Sequence, residues 1–354
     1  SEPTPASLLY TAPFILSTSS MLQARTFDTL ELPNFAPSDS ATATLIAASS
    51  ELTARTSELP LLIVDTLTGG IPGTGSADLR RTNVLLVDTD PATGIASFAA
   101  ATPDYLGRAG IRRRGNSTGS QPKPNLSFET WGDAGTTADD GENVSLLGLP
   151  AENDWVLHAP YEFDRAMMRN QLGFELAREM DQWAPRSRFI EVYLNEGDGI
   201  VTEADYVGVY VLMEKIKQGA DRVDVTEIGP ENESSRDISG GYIWKVDRVD
   251  PDAPSFSAGG QALNWVYPKS PLSATARDDQ KATLAQQAWV QEYFDAFERT
   301  LESPDRHVAE GYTKYFDVEV WVDQHILNTL MWNVDAFTLS AFLHKERDGR
   351  IQYG

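Results

Sequence analysis

Two runs, Leu61-Leu62-Ile63-Val64 and Val84-Leu85-Leu86-Val87, each hold four apolar residues with no polar break. Runs that short and that apolar read as buried strands. Strands are also predicted at 189–194 and 206–213. Over 164–180, Met167, Met168, Leu172, Leu176 and Met180 recur at the helical period, with Asp164 as the expected N-cap. Two further helices are predicted over 277–301 and 318–332. Strand-dense sequence up to Met213 and long helical periods after Arg277 make the expected fold class α+β.

The first 50 residues read as short strands at 14–16, 21–27 and 41–46, separated by Ser, Pro and Asp turn clusters. Three strands alone bury little. Residues 1–50 are therefore expected to be a partial β-sandwich-like module, followed by a larger domain over 59–354. Between the two apolar runs lies Gly69-Gly70-Ile71-Pro72-Gly73-Thr74-Gly75. No Gly-Lys-Ser/Thr and no helix signal follow it, so it reads as a plain loop rather than a phosphate loop. The stretch 251–273, rich in Pro, Ser, Ala and Gly, reads as an excursion over the surface, and Asp139-Asp140-Gly141-Glu142 as a solvated loop.

Charge and composition narrow the function. The 354 residues include 29 Lys and Arg against 52 Asp and Glu, a net charge of −23. Such a field repels phosphate backbones and anionic lipid, so no nucleic-acid partner is expected, although a local basic cleft can still hold a small anion. The absence of cysteine excludes disulfides, thiolate metal sites and cysteine nucleophiles. It suits a protein exported from a bacterial cell, extracellular or at the cell surface, that folds without an oxidase. The four histidines, His158, His307, His325 and His344, show no H-E-x-x-H spacing, which argues against a histidine-rich metal site. No run approaches 18 apolar residues, so no membrane span is expected. The start, Ser1-Glu2-Pro3-Thr4-Pro5, lacks the regions of a signal peptide and reads as a mature or trimmed terminus.

Three clusters stand out chemically. Arg112-Arg113-Arg114-Gly115-Asn116-Ser117, with Lys123 beyond it, joins three arginines to a turn that exposes backbone N–H groups. That combination can cradle a phosphate chain, or the arginines can simply pair with surface acids at a strand end. In Tyr210-Val211-Leu212-Met213-Glu214-Lys215-Ile216 an apolar strand breaks into a polar segment. Backbone groups at such a break can read an adenine ring, or the segment is an ordinary strand followed by an exposed Glu-Lys pair. Asn333-Val334-Asp335-Ala336-Phe337 sets an aspartate among apolar residues at a helix exit, as a base, a metal ligand or a helix-ending turn residue.

The order of these segments resembles the CotH kinase family, named for spore coat protein H. The resemblance runs from Arg114-Gly115-Asn116-Ser117 through 147–157, Met168-Arg169-Asn170, Ala184-Pro185-Arg186-Ser187-Arg188-Phe189 and 206–217. It continues to Asp221-Arg222-Val223-Asp224, Gly240-Gly241-Tyr242-Ile243 and Asn333-Val334-Asp335-Ala336-Phe337, covering about 60–354. A second, smaller resemblance, under fifty residues long, links the N-terminus to the β-sandwich module at the C-terminal end of chitobiase-type enzymes.

The CotH resemblance implies a two-lobed, atypical protein-kinase-like fold preceded by a short β-rich appendage. The sheet-rich lobe is expected over 59–212, with 164–180 as its regulatory helix, and a mainly helical lobe over 217–354. It implies ATP and a divalent metal, Mg, as cofactors, and phosphorylation of a protein substrate. Lys123 is the expected phosphate lysine, although Pro124 and Leu126 stand where the family has a second lysine and an aromatic. Arg114 and Arg169 are expected at phosphate or in structural ion pairs, and Met213, Glu214 and Ile216 at the adenine. Asp335 matches the catalytic-loop aspartate that orients or deprotonates the acceptor hydroxyl. Ser340 stands where many relatives have a metal-binding asparagine. The principal metal aspartate belongs to a Trp-Asp-Phe-Asp-like motif expected just beyond Gly354, so the 354-residue chain is expected to be catalytically incomplete by itself. A non-catalytic surface, adhesion or nucleotide-binding module is the alternative. A carbohydrate-active enzyme, suggested only by the N-terminal module, would need two carboxylates about 5–10 Å apart.

Overall fold

The structure, a computed structural model, describes residues 2–28, 35–75, 78–99, 102–115, 118–132, 140–161, 164–197, 199–248, 255–258, 261–306 and 311–354. The chain forms two units, Ser1–Met167 with Ser187–Lys215 and Met168–Arg186 with Ile216–Gly354.

The first unit opens with a hairpin of β1 (Ser20–Ala24) and β2 (Ala41–Leu45), a one-turn helix α1 (Ser50–Thr53) and the two-residue strand β3 (Thr56–Ser57). Then come β4 (Leu61–Asp65), β5 (Arg80–Val87), β6 (Ala96–Ser97), β7 (Tyr105–Arg113), β8 (Leu126–Trp131), β9 (Asp154–His158), β10 (Ser187–Asn195) and β11 (Tyr206–Glu214). Seven of these close into a barrel, in the order β10-β11-β9-β8-β7-β5-β4, while β3 pairs with β6. All barrel neighbours are antiparallel except β10 and β4, which run parallel.

Alternation along the strands turns Leu62, Val64, Val84, Leu86, Ala109, Ile111, Phe128, Leu157, Ile190 and Leu212 into one core. Each such side chain contributes about 1.5–3 kcal/mol of burial. The opposite face of β4 is also covered: Leu61 and Ile63 pack with Leu52, Ala96, Tyr193 and Val201. Burial on both faces is why β4 carries no polar break. Gly110 lets the Trp131 indole lie against β7, since a Cβ there would stand 2.3 Å from the ring. The register places Asp65, Arg80, Arg113, Leu126, His158, Tyr206 and Asn195 at one barrel end. Leu61, Val87, Tyr105, Trp131, Asp154, Ser187 and Glu214 mark the other.

The second unit contains α2 (Arg169–Glu179), β12 (Tyr242–Val246), β13 (Phe256–Ala258), β14 (Gln261–Tyr267), α3 (Leu284–Glu302), α4 (Val318–Leu330), β15 (Ala341–Lys345) and β16 (Ile351–Tyr353). Its five strands form one antiparallel sheet in the order β13-β14-β12-β15-β16. Val290 and Phe294 of α3 join Tyr242, Trp244, Leu263, Trp265 and Leu343 in the core. The Trp244 and Phe294 rings meet edge-on at 5.3 Å.

This architecture corrects the expected fold class. The α+β, two-lobed kinase-like arrangement with a mainly helical lobe over 217–354 is not adopted: the chain is β-rich, with a closed barrel and few helices. Two of the strands that overturn it were hidden by composition. Pro, Ser and Gly around 251–260 mask β13 and β14, so the expected surface excursion is largely a hairpin of the sheet, with 251–254 and 259–260 outside the described residues. Boundaries shift too. The helix expected over 164–180 starts at Arg169, because Met167 takes a left-handed φ of 57° and Met168, not Asp164, is the N-cap. The helix expected from 277 starts at Leu284, where Thr283 and Gln286 form a capping box. No strand forms at 14–16.

Candidate functional site

β7 ends at Arg113 and the chain loops back into β8 through Lys123. Backbone bonds pin this loop: Arg113 N–H donates to the Pro72 carbonyl and Arg114 N–H to the Asn125 carbonyl, both at 2.9 Å, and Ala159 N–H donates to Asn125 Oδ1 at 2.6 Å. The Lys123 ammonium donates to the Val209 carbonyl and lies 4.9 Å from the centroid of the Tyr210 ring. Gly208, with φ of 101°, sits at a register shift in the β10–β11 ladder. A Cβ there would come 3.6 Å from Lys123 Nζ.

Electrostatics tie three groups together at this rim. Burial pushes the Lys123 ammonium below its usual range. Burial also holds the His158 imidazole down to about 4; the charges of Arg114 and Lys123 act in the same sense and Asp164 opposes them. His158 is therefore neutral at neutral pH, beside two cations. Burial pushes the Tyr210 phenol up to about 12, with Arg113 opposing.

Arginines and lysines are gathered unevenly along the barrel axis. Arg80, Arg81, Arg112, Arg113, Arg114 and Lys123 collect at the His158 end. Asp88, Asp104, Asp154 and Glu214 lie at the other end, where Arg188 pairs with Asp88 at 3.1 Å and Lys215 with Asp154 at 2.7 Å. In a chain of net charge −23, the mouth at the His158 end gathers these six cations, interleaved with the carboxylates of Asp65, Asp78 and Asp164.

The structure thus brings Lys123 and Arg114 together around His158. Asn116 and Ser117, from the same motif, lie outside the described residues. Met213 and Glu214 sit at the opposite end of β11: Met213 pairs with Ser187 on one side and Val156 on the other, and Glu214 is fully buried opposite Trp155. Val209, which holds Lys123, is four residues from Met213, about 13 Å along the strand.

The remaining predicted residues belong to the second unit. Ile216 packs against Val223, Val225 and Ile243. Arg169 is the first residue of α2, and one turn on, Gly173 faces Met331, whose Cγ would stand 3.2 Å from a Cβ. After α4 the chain winds through three left-handed residues, Trp332, Phe337 and Ser340. The Asp335 carbonyl accepts from the Thr338 amide (3.1 Å), the Thr338 hydroxyl (3.0 Å) and the Leu339 amide (2.9 Å). Phe337 stacks over Trp321 and His325, anchoring this turn, and the side chains of Asp335 and Ser340 are exposed. Among the described residues no group of three or more His, Asp or Glu side chains is placed to hold a metal ion.

Sequence reasoning gave His158 no role, because its two cationic neighbours come from a loop more than thirty residues earlier. The Arg80-Arg81 pair following the glycine-rich loop is the sequence signal for the rest of the basic rim.

Comparison with known proteins places the chain. Residues 111–354 match the family described as CotH kinase protein. The chain belongs to the CotH kinase family, and a kinase-like function, with ATP and a divalent metal as its general requirements, follows from that membership. No curated protein matches the chain at a significant level. No helix among the described residues is long and apolar enough to cross a membrane.

Proposed function

We propose that the protein transfers the γ-phosphoryl group of ATP to a hydroxyl of a protein substrate, and that the triphosphate lies at the basic mouth of the barrel. The observation that carries this is the convergence of Lys123 and Arg114 on His158 at one rim of an otherwise acidic chain. Lys123 supplies a point charge to the phosphates and Arg114 a forked donor. Neutral His158 adds an imidazole that can accept or donate one hydrogen bond without repelling either cation. Asp335, exposed on a turn whose backbone is fixed independently of its carboxylate, is proposed to orient and deprotonate the acceptor hydroxyl.

The donor set suits the cofactor. Mg²⁺ is typically bound by one or two carboxylates together with substrate phosphates and water, so a three-residue protein cluster is not required. Ser340 offers an exposed oxygen to the ion, and when bound the ion would neutralise charge on the transferring group. Export from a bacterial cell is part of the same proposal, supported by the acidity and the lack of cysteine.

Calorimetry with ATP and Mg²⁺, beside phosphate transfer onto the chain itself or casein, tests the reading. ATP binding lost in Lys123→Ala is the expected result. Binding without any transfer would favour a nucleotide-binding module, and no binding at all would overturn the assignment.

A further inference from the structure

α4 carries apolar residues on two faces. Leu327 turns inward and packs with Ala177 and Ala184, beside Phe174 and Leu176 of α2. Val322, Ile326 and Leu330 turn outward, each more than half exposed. Spaced four apart, they form a row about 12 Å long on the solvent side of the helix. Trp332 and Val334, still more exposed, follow directly. A helix that is apolar all round is ordinarily a buried one. A contiguous apolar patch left in solvent marks an interaction surface. α2 lies along the Leu327 side of α4 and leaves the row open: Gly173 faces Met331, and the Gln182 amide donates to Asp323 Oδ2 at 3.1 Å.

The charge around the row selects the partner. Glu319 stands three residues before Val322 and Asp323 three before Ile326, so both carboxylates border the row. From Val318 to His344 the chain holds Glu319, Asp323 and Asp335 and neither Lys nor Arg. On α2, Glu175 and Glu179 are exposed, Arg178 is engaged by Glu175 and the Pro185 carbonyl, and Arg169 is already partnered. A second copy of this chain would set these acids against their own kind, under a net charge of −23 on each molecule. The complementary partner is a polypeptide segment showing apolar side chains at helical spacing, flanked by Lys or Arg. Leu330 is five residues from Asp335, the exposed carboxylate proposed to act on the acceptor hydroxyl. We propose that the α4 face docks such a basic, amphipathic segment of the acceptor polypeptide and so holds its hydroxyl within reach of Asp335. The proposal rests on the reading of the chain as a protein kinase, and it adds the chemistry of the acceptor to that reading.

Fluorescence anisotropy with a labelled synthetic helical peptide, bearing Leu four apart on one face and Lys beside them, tests it on the whole chain. A scrambled peptide of the same composition and a twin with Glu in place of Lys are the comparisons. The basic amphipathic peptide should bind at least about tenfold more tightly than either. Ile326→Gln combined with Leu330→Gln should abolish that preference, with melting temperature and ATP affinity unchanged because both side chains are exposed. If the double variant fails to fold, Glu319→Lys should weaken binding of the Lys peptide and strengthen that of its Glu twin. Equal binding of the peptides, or an undiminished preference in these variants, overturns the proposal. Two other occupants of the row would also overturn it. One is a second copy, shown by a wild-type dimer in sedimentation that the double variant dissociates. The other is the chain's own continuation, shown if a chain extended through the motif expected after Gly354 no longer binds the peptide. Phosphate transfer keeps the two readings apart: in the extended chain, a serine-bearing form of the peptide should show a raised KM and an unchanged kcat in the double variant. A chain that binds the peptide but never ATP would sink the kinase reading and leave the docking face standing. One that phosphorylates casein but shows no preference among the peptides would do the reverse.

Discussion

The Lys123 ammonium stands 4.9 Å from the centroid of the Tyr210 ring and donates to the carbonyl of Val209. One side of the cation is thus already satisfied by its own barrel, and partial burial lowers its affinity for the proton. An incoming anion meets a positioned charge rather than a flexible one. Lys123→Met, which keeps the stem over the ring, should weaken ATP binding by about 10–100-fold, the loss of one charge-assisted contact of about 1.5–3 kcal/mol. Calorimetry reads this; unaltered affinity would remove Lys123 from the phosphate site.

His158 predicts a pH dependence. Its folded pKa of about 4 lies below the ordinary 6.5. Between those values the unfolded chain binds a proton that the folded chain refuses, so stability falls as pH drops from about 6.5 towards 4. His158→Gln should flatten that decline by no more than about 3 kcal/mol. Urea unfolding of both proteins at pH 7 and pH 5 gives the difference directly. A triphosphate beside Arg114 and Lys123 would offset their charges and raise the imidazole pKa, an upward movement that an NMR titration with and without ATP can follow.

Asp335→Asn should leave the melting temperature almost unchanged, because the turn is held by the Asp335 carbonyl and not by its exposed carboxylate. In a chain extended through the Trp-Asp-type motif expected after Gly354, phosphate transfer should fall by about 10²–10⁴-fold, the usual scale of a lost general base. Full turnover in this variant would exclude Asp335 from proton transfer.

Lys345 offers a stability test away from the proposed site. Its ammonium lies 5.3 Å from the Trp289 ring centroid and 5.0 Å from that of Tyr293, and it donates to the Ser239 carbonyl at 2.6 Å. Burial pushes its pKa down to about 8, with Asp348 and Glu346 opposing. Between about 8 and 10.5 the unfolded chain binds more protons, so this group adds stability as pH rises through that window. Lys345→Met should remove the rise and, by stranding the Ser239 carbonyl, cost about 1–3 kcal/mol at pH 7. Denaturant titrations at pH 7 and pH 10 check both parts.

Strands were legible in sequence either from unbroken burial or, as in β2, from alternation. Leu61 to Val64 were found because burial on two sides leaves a continuous apolar signal. β7 was not, since Gly107 and Gly110 make room for Tyr105 and Trp131 and contribute no hydrophobic pattern of their own. β13 and β14 sit among turn-forming residues, and a local reading gives Pro and Gly more weight than a partner strand elsewhere in the chain. The family was readable because its motifs are words in order. Of the basic mouth, Arg112 to Arg114 with Lys123 were legible as a local cluster, whereas Arg80 joins them only through the antiparallel pairing of β5 with β7.

That parallel closure joins distant parts of the chain: the Thr66 hydroxyl donates to the Asn195 carbonyl across 129 positions. A ribosome adding about 5–20 residues each second needs roughly 6–26 s to travel that far. Throughout the interval Leu61, Leu62, Ile63 and Val64 can pair with β5 on one edge and with nothing on the other, an open apolar edge of the kind that invites association between nascent chains. Residues 168–186, which belong to the second unit, are also made before β10 emerges. Vectorial synthesis therefore cannot complete the first unit until part of the second has been laid down, and no single cut in the gene separates them.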